Sequence, residues 1–514
     1  MRDRLTRLSL LVALLGVLLP APVRAQAPPV RRLTADEAVR LALENNLGLQ
    51  VARVDPRVGD LAIAAARGAW SPTFTSTLQR ASTDSPNTSF LSGAAGAGIS
   101  DARLLTNVGV EQALKWGGRY SVGWDTTRST TTNIFSNFSP QIRSSLALNY
   151  RQPLLRGFGI DNARRQLLTS ETSREITDLG LRQKVALTTR GVRTAYADLV
   201  YAIASLDVAR QSLELARESL RNTRSRVEIG TTPPIDIIEA EAEEATRAEA
   251  AILAEAQIDT AEDALRTLIF NPDTPDFWSL RLEPAEVPLF APVPVDVDGL
   301  VRNALQQRTD LLQARKALEA DEVAIRFFRN ESLPDLSAAF DYGLTGLGGT
   351  QFLRGAGFPG SIIGQSERSF AAVLRDLFGN DFPSWTASLN VNYPLGATTQ
   401  KANLARARLQ YSQSVAALKD SELQVVAQVR AAARQVATNQ RRVDTTRVSR
   451  QFAERRLDAE QRKLAAGTST SFFVFQAQRD LALARNNELR ATLDFSRSTV
   501  DLATVQEAPL TVSR

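Results

Sequence analysis

Apolar residues recur along this chain with two different periods. Between 192 and 229, Leu199, Leu206, Leu213, Leu220 and Val227 stand seven apart, with Ala202, Ala209, Ala216 and Thr223 at the second seam position. This is the a/d heptad of packed helices, and the row of small residues permits close approach. The later series Val436, Val443, Arg450, Leu457 and Leu464 keeps the spacing but puts a charge on the seam. No Pro or Gly interrupts 192–229 or 398–466. A helix such as 162–229 extends roughly 100 Å at about 1.5 Å per residue, which no compact globule can house. The helices are predicted to turn back at Gly230–Asp236 and Gly467–Phe473. There Gly supplies a left-handed cap, Thr or Ser caps the next helix, and Pro234 suits a first turn.

The second period is two. Trp385, Ala387, Leu389 and Val391 alternate with Ser384, Thr386, Ser388, Asn390 and Asn392. Leu146, Leu148 and Tyr150 alternate with Ala147, Asn149 and Arg151, and Leu336, Ala338, Phe340 and Tyr342 with Ser337, Ala339 and Asp341. Such segments fit barrel strands with lipid outside and water inside. A half-buried soluble sheet has the same alternation. The aromatic ends, Trp385, Tyr393 and Tyr150, and an export signal described below favour the membrane. A further hairpin, turning at Gly117-Gly118 and alternating through Tyr120, Val122 and Trp124, is predicted at about 104–128. The second half has instead a Gly-rich stretch, read as a loop, from about 346 to 383.

The chain is written twice. Val39–Arg53 matches Val301–Arg315 without gaps, and the same offset carries Pro72 onto Pro334. Gly230-Thr231 recurs as Gly467-Thr468, and Pro153-Leu154 as Pro394-Leu395. Three correspondences in one order imply an internal duplication, each half running helix, strands, very long helix, tight turn, helix.

The first residues read as a processing signal. Arg2, Arg4 and Arg7 precede the apolar run Leu8–Leu19, and Val23-Arg24-Ala25 offers a cleavage site. The run is short for a spanning anchor, which needs about 20 residues. No later segment is apolar enough to span as a helix, so membrane entry requires a closed barrel. The chain holds no Cys and no His. That removes disulfides, lipid attachment, a His-based triad and His-ligated metal, and argues against an enzyme. Removing 1–25 takes four Arg and one Asp from the formal charge of +5 and leaves +2. With no Lys/Arg cluster interleaved with aromatics, nucleic acid is not an expected partner.

Over residues 34–505 the chain resembles the TolC-type outer-membrane efflux factors. The resemblance rests on LTADEAVRLALENN, Ser71-Pro72 at a strand entry, QPLLRG from Gln152, NYPLG from Asn392, and the two Gly-Thr tips. It implies a mixed α and β fold: a trimeric outer-membrane β-barrel continued by a long α-helical periplasmic barrel and built from two internal repeats. Four strands per protomer would share one 12-stranded barrel. The expected organisation is a signal peptide (1–25), a first repeat (26–270), an equatorial connection (271–297), a second repeat (298–505) and a tail (506–514). Barrel strands are expected at about 73–82, 143–152, 335–345 and 384–394, and helical hairpins at 162–268 and 398–505. The implied function is a passive exit duct for drugs, metals or polypeptides. Its implied partners are an inner-membrane pump, a periplasmic adaptor (membrane fusion protein), outer-membrane lipid and two further copies of the chain. No cofactor, metal or catalytic residue is implied.

By the same resemblance, Gly230, Thr231, Thr232, Gly467, Thr468 and Ser469 are the adaptor-contacting tips. The periplasmic aperture falls at Asp236, Phe472, Phe473, Phe475 and Gln476. Relatives often place acidic residues just after the second tip, where this chain has Phe473 and Gln476. The Phe residues read either as ordinary helix packing or as a constriction that closes by dewetting. The rival reading, a periplasmic coiled-coil adaptor or scaffold, shares the heptads and export signal but requires no amphipathic strands.

Overall fold

The computed structural model describes residues 30–86, 98–273, 277–286, 290–292, 294–396 and 398–508. The predicted signal peptide and the last residues of the tail lie outside them. In chain order the first repeat holds β1 (Val30–Leu33), α1 (Ala35–Asn45), α2 (Leu47–Arg67), β2 (Thr73–Ser85), β3 (Ile99–Ala113), β4 (Arg119–Thr131), β5 (Phe138–Pro153), α3 (Asn162–Glu228) and α4 (Ile235–Ile269). After β6 (Arg281–Pro284) come α5 (Val297–Gln307), α6 (Thr309–Glu331), β7 (Asp335–Arg354), β8 (Ile362–Arg368), α7 (Phe370–Gly379), β9 (Pro383–Asn392), α8 (Thr398–Ala465) and α9 (Ser471–Val505). The duplication is visible in the lengths. The long helices α3 and α8 have 67 and 68 residues, α4 and α9 have 35 each, and α1 and α5 have 11 each.

Contacts divide the chain into two units. One comprises the chain up to Gln50, Lys184–Leu300, and the chain from Gln428 onward. Its core is the heptad seam together with the short elements beside it. Leu199, Ala202 and Leu206 are buried with Val192, Ile258, Leu265 and Ile269. The predicted connection contributes β6, which pairs in parallel with β1. Tyr196 fastens this two-stranded sheet to α3. Its hydroxyl lies 3.1 Å from the Leu33 carbonyl and 3.0 Å from that of Glu286, and burial pushes its pKa up. Asn45 and Asn46, the end of the LENN motif, donate their side-chain amides to the carbonyls of Ile269 and Leu268 at 3.3 and 3.2 Å. They satisfy acceptors that the end of α4 would otherwise leave open.

The charged seam position in the second half is compensated within its own helix pair. The Arg450 guanidinium contacts both Glu454 oxygens at 2.9 Å and also pairs with Glu488 on α9. Arg485 reaches Glu454 at 3.4 Å. Partial burial opposes ionisation of Glu454, but Arg450 and Arg485 outweigh it and leave its pKa below the usual carboxylate range.

The other unit comprises Val51–Gln183 and Val301–Ala427 and holds a seven-stranded antiparallel sheet. The strands run β2-β3-β4-β5-β7, and the far edge of β7 pairs with β9 low down and with β8 higher up. Several sequence expectations change here. β2, β5 and β7 run past their predicted limits while β9 keeps close to its own, and the extra hairpin, β3 and β4, lies inside the sheet between β2 and β5. Residues 346–383 are not a loop, because β7 continues to Arg354 and is followed by β8 and α7. The sheet holds more strands than the four per protomer implied by resemblance. Loop composition misled because two of the glycines do a packing job. A Cβ on Gly346 would stand 2.4 Å from the Val373 carbonyl oxygen, and one on Gly348 would stand 2.4 Å from the Val373 side chain. Only glycine lets α7 lie this close to the sheet, with Val373 and Leu377 buried beneath it.

Two stability measurements follow. Tyr196→Phe removes the hydroxyl from the β1–α3 junction and should cost roughly 1–2 kcal/mol in denaturant unfolding. The carboxylate of Glu454, whose ordinary pKa is 4.5, has a lowered pKa when folded. Its stabilisation is therefore full above that ordinary value and lost as pH falls through the lowered one. Thermal midpoints of the wild type and Glu454→Gln should differ near neutral pH and converge in acid. A difference that grows in acid would contradict the assignment.

Candidate functional site: the helical tips

Both helical hairpins turn by the same hydrogen-bonded device. Gly230 and Gly467 adopt φ of 82° and 73°. The Gly230 N–H donates to the Val227 carbonyl at 3.0 Å, and the Thr231 N–H to that of Arg226 at 2.9 Å. Gly467 and Thr468 repeat this on Leu464 and Lys463, at 3.1 and 2.9 Å. This pair of bonds is the Schellman motif, which closes the last carbonyls of a helix. Each Thr hydroxyl adds a bond to the same carbonyl its own N–H uses, at 3.0 Å in Thr231 and 3.2 Å in Thr468. The repeated Gly-Thr pair is thus a local stop signal with a stated mechanism.

The start of the following helix departs from expectation. Neither Pro234 nor Thr470, at the N-cap positions, makes a side-chain capping bond. Backbone turns do the work: the Asp236 N–H donates to the Pro233 carbonyl at 3.1 Å and the Phe473 N–H to that of Thr470 at 3.2 Å. Ser469 reaches back instead, donating to Glu460 at 2.8 Å, and Lys463 contacts the same carboxylate at 2.7 Å. The Lys463 ammonium and then the Ser469 hydroxyl hold the Glu460 carboxyl below the usual carboxylate range.

The predicted aperture residues fall into two groups. Phe475 is only 3% exposed and packs with Leu220 and Ala240, so it belongs to the core and is withdrawn from the aperture. Val474, Ala477 and Leu481 pack with Leu457 next to it. Phe472 and Phe473 are about half exposed, with ring centroids 5.7 Å apart in an edge-to-face pair. Asp236 and Gln476 are half-buried, Thr232 likewise, and Gly230, Thr231, Gly467 and Thr468 are exposed. The helical period separates the two Phe classes, since 475 falls with 474, 477 and 481 on the packed face while 472 and 473 fall outside it. Sequence reading missed the apolar residues flanking the first tip: Ile229, Ile235 and Ile238 are all exposed. Their signal was present as three β-branched residues beside a polar turn.

Deeper along the same helices, Glu243 is almost fully buried between Arg247, at 2.6 Å, and Arg479, at 3.0 Å, which ties α4 to α9. Among the described residues no group of three or more acidic side chains could hold a metal ion. Among them too, no helix is long and apolar enough to cross a membrane. A Cβ on Gly467 would meet nothing within 4 Å, so Gly467→Ala tests the backbone alone. It should cost about 1 kcal/mol in unfolding, whereas an unchanged midpoint would mean the cap is not needed.

The profile of the outer membrane efflux protein family matches residues 38–269 and 300–505, one segment in each half. Among solved structures, the outer-membrane channel OprN is 17% identical with a TM-score of 0.65, covering 92% of this chain and 89% of that one. CusC is 14% identical with a TM-score of 0.65, covering 93% and 92%. The outer membrane protein VceC of Vibrio cholerae is 15% identical with a TM-score of 0.62, covering 92% and 96%. No curated protein matches the chain at the level of sequence. The family match spans most of the chain in two consecutive copies, and the fold agrees with it. The chain belongs to the outer membrane efflux protein family, channels of the outer membrane with a periplasmic helical extension.

Proposed function

We propose that this chain is the passive exit duct of a tripartite efflux or type I secretion system, working as a homotrimer. An inner-membrane pump would supply the energy, and a periplasmic adaptor would dock on the hairpin tips. The observation that carries the reading is the division of the sheet into two faces. One cross-strand row reads Phe74, Val110, Val122, Leu148, Tyr342 and Trp385, and the adjacent row on the opposite face reads Thr75, Gly109, Gly123, Ala147, Gly343 and Ser384. An apolar face backed by a small and polar one suits lipid on one side and water on the other. A coiled-coil scaffold has no use for such a sheet.

The tip residues Gly230, Thr231, Thr232, Gly467, Thr468 and Ser469, flanked by exposed Ile229, Ile235 and Ile238, supply a docking surface with backbone turns and apolar contacts. Phe472 and Phe473 supply the closure. Three symmetry copies of an exposed Phe pair narrow an opening and leave it poorly wetted. Asp236 adds a weaker anionic contribution, and Gln476 adds none.

Planar-bilayer conductance of the wild type, Phe473→Ala and Asp236→Asn separates the two. Closure by packing should give Phe473→Ala a conductance at least about twofold higher, with Asp236→Asn changing mainly cation preference. Wild-type conductance in Phe473→Ala together with an open pore in Asp236→Asn would make the closure electrostatic.

A further inference from the structure

We infer that three copies of this chain close an 18-stranded barrel rather than the 12-stranded one the resemblance implied, by pairing β2 of one copy with β9 of the next. The inference rests on the trimeric duct proposed above and concerns what spans the membrane.

The extra hairpin is the deciding element, and its register places it in the wall. β3 pairs with β2 along thirteen consecutive positions, from Thr73↔Glu111 to Ser85↔Ile99. β4 pairs with β5 from Arg119↔Arg151 to Ser129↔Gln141. Neither ladder has a bulge that would swing the hairpin out of the sheet. The hairpin also keeps the division of faces: Val108 and Val110 stand opposite Trp124 and Val122, in line with the apolar residues of β5, β7 and β9, whereas Asn107 faces Asp125 on the polar side. A hairpin folded over the mouth or into the lumen would have no reason to continue the apolar row. Each copy therefore carries six strands along the sheet, with β8 and β9 sharing the last track.

Two open edges remain, and they fit each other. The strands alternate in direction, so with six tracks β2 and β9 run in opposite senses, and copy-to-copy pairing is antiparallel like every other pair in the sheet. Thr73 and Asn392 lie at the same end of the sheet, and the register carries Thr73 across it onto Thr386, so β9 runs six residues past the start of β2 and the two edges overlap from there on. Their apolar side chains are the more open ones on that face, with Phe74 at 67%, Leu78 at 75% and Trp385 at 70% exposed, against 37% for Val122 in the middle. In hydrocarbon an unpaired strand edge has no partner for its N–H and C=O groups, so each edge needs another strand. Barrel diameter grows roughly linearly with strand number, so the pore through the outer membrane would be about half as wide again as a 12-stranded one.

The chain has no cysteine, so engineered pairs have no background. Thr77→Cys on β2 is combined in turn with Ser384→Cys, Thr386→Cys, Ser388→Cys or Asn390→Cys on β9, all on the polar face, in protein extracted from outer membranes. Oxidation should link chains into dimers and trimers on a denaturing gel for at least one pair. The pair Thr77→Cys with Ser145→Cys on β5 should stay unlinked, because β3 and β4 lie between them. An intrachain Thr77–Ser145 link would put β2 beside β5, eject the hairpin and restore 12 strands. Failure of all four β2–β9 pairs would equally overturn the inference. Native mass spectrometry of the wild type keeps the two readings apart: a trimer without β2–β9 links removes the 18-stranded barrel alone, and a monomer removes the duct reading with it.

Discussion

A strand edge cannot be left open in hydrocarbon. Water is absent there, lipid tails accept no hydrogen bond, and each unsatisfied backbone group costs several kcal/mol. Nearly everything distinctive about the sheet follows from this constraint. Its strands run antiparallel with an even number of tracks, one face is apolar from β2 to β9, and both edges carry exposed apolar side chains. A single chain cannot satisfy the edges of such a sheet. In the proposed trimer, pairing of β2 with β9 between copies supplies the partners these edges lack.

The helical part obeys a different rule. Its pairs are held by a seam of Leu and Val against Ala and Thr, and where the seam carries Arg450 the charge is matched by Glu454 and Glu488. Leaving that guanidinium unpaired would cost more than the seam gains there. The tips add nothing to the core, yet they repeat one capping device twice, with Gly in a left-handed conformation and Thr bonded twice to one carbonyl. Local chemistry of this kind sets where a long helix stops without constraining what binds there, which leaves the side chains around the turn free to serve recognition.

Much of this was legible in the order of residues. Heptads longer than 30 residues without Pro or Gly have few alternatives to long paired helices, and the repeated Gly-Thr pairs fixed both turns. Strand alternation marked the sheet but not its extent. The stretch from 346 to 383 read as a loop because Gly346 and Gly348 resemble turn glycines, whereas their purpose is to admit Val373 against the sheet. That contact joins residues 25 and 27 positions apart in the chain (373 − 348 and 373 − 346), and no local window contains it. Phe475 follows the same tip as Phe472 and Phe473, but its helical phase puts it on the packed face, against Leu220 and Ala240. The missing side-chain caps have a similar cause: Ser469 has a better partner in Glu460, nine residues earlier.

The claim on which the account turns is that the two faces of the sheet, hairpin included, meet lipid and water respectively. Single cysteines on β4 test it in intact outer membranes with a water-soluble maleimide. Ser121→Cys and Asp125→Cys should react readily, and Val122→Cys and Trp124→Cys should react slowly, giving a period of two along the strand. Equal reactivity on both faces of β4 would mean that the hairpin stands outside the membrane, and the account would be wrong.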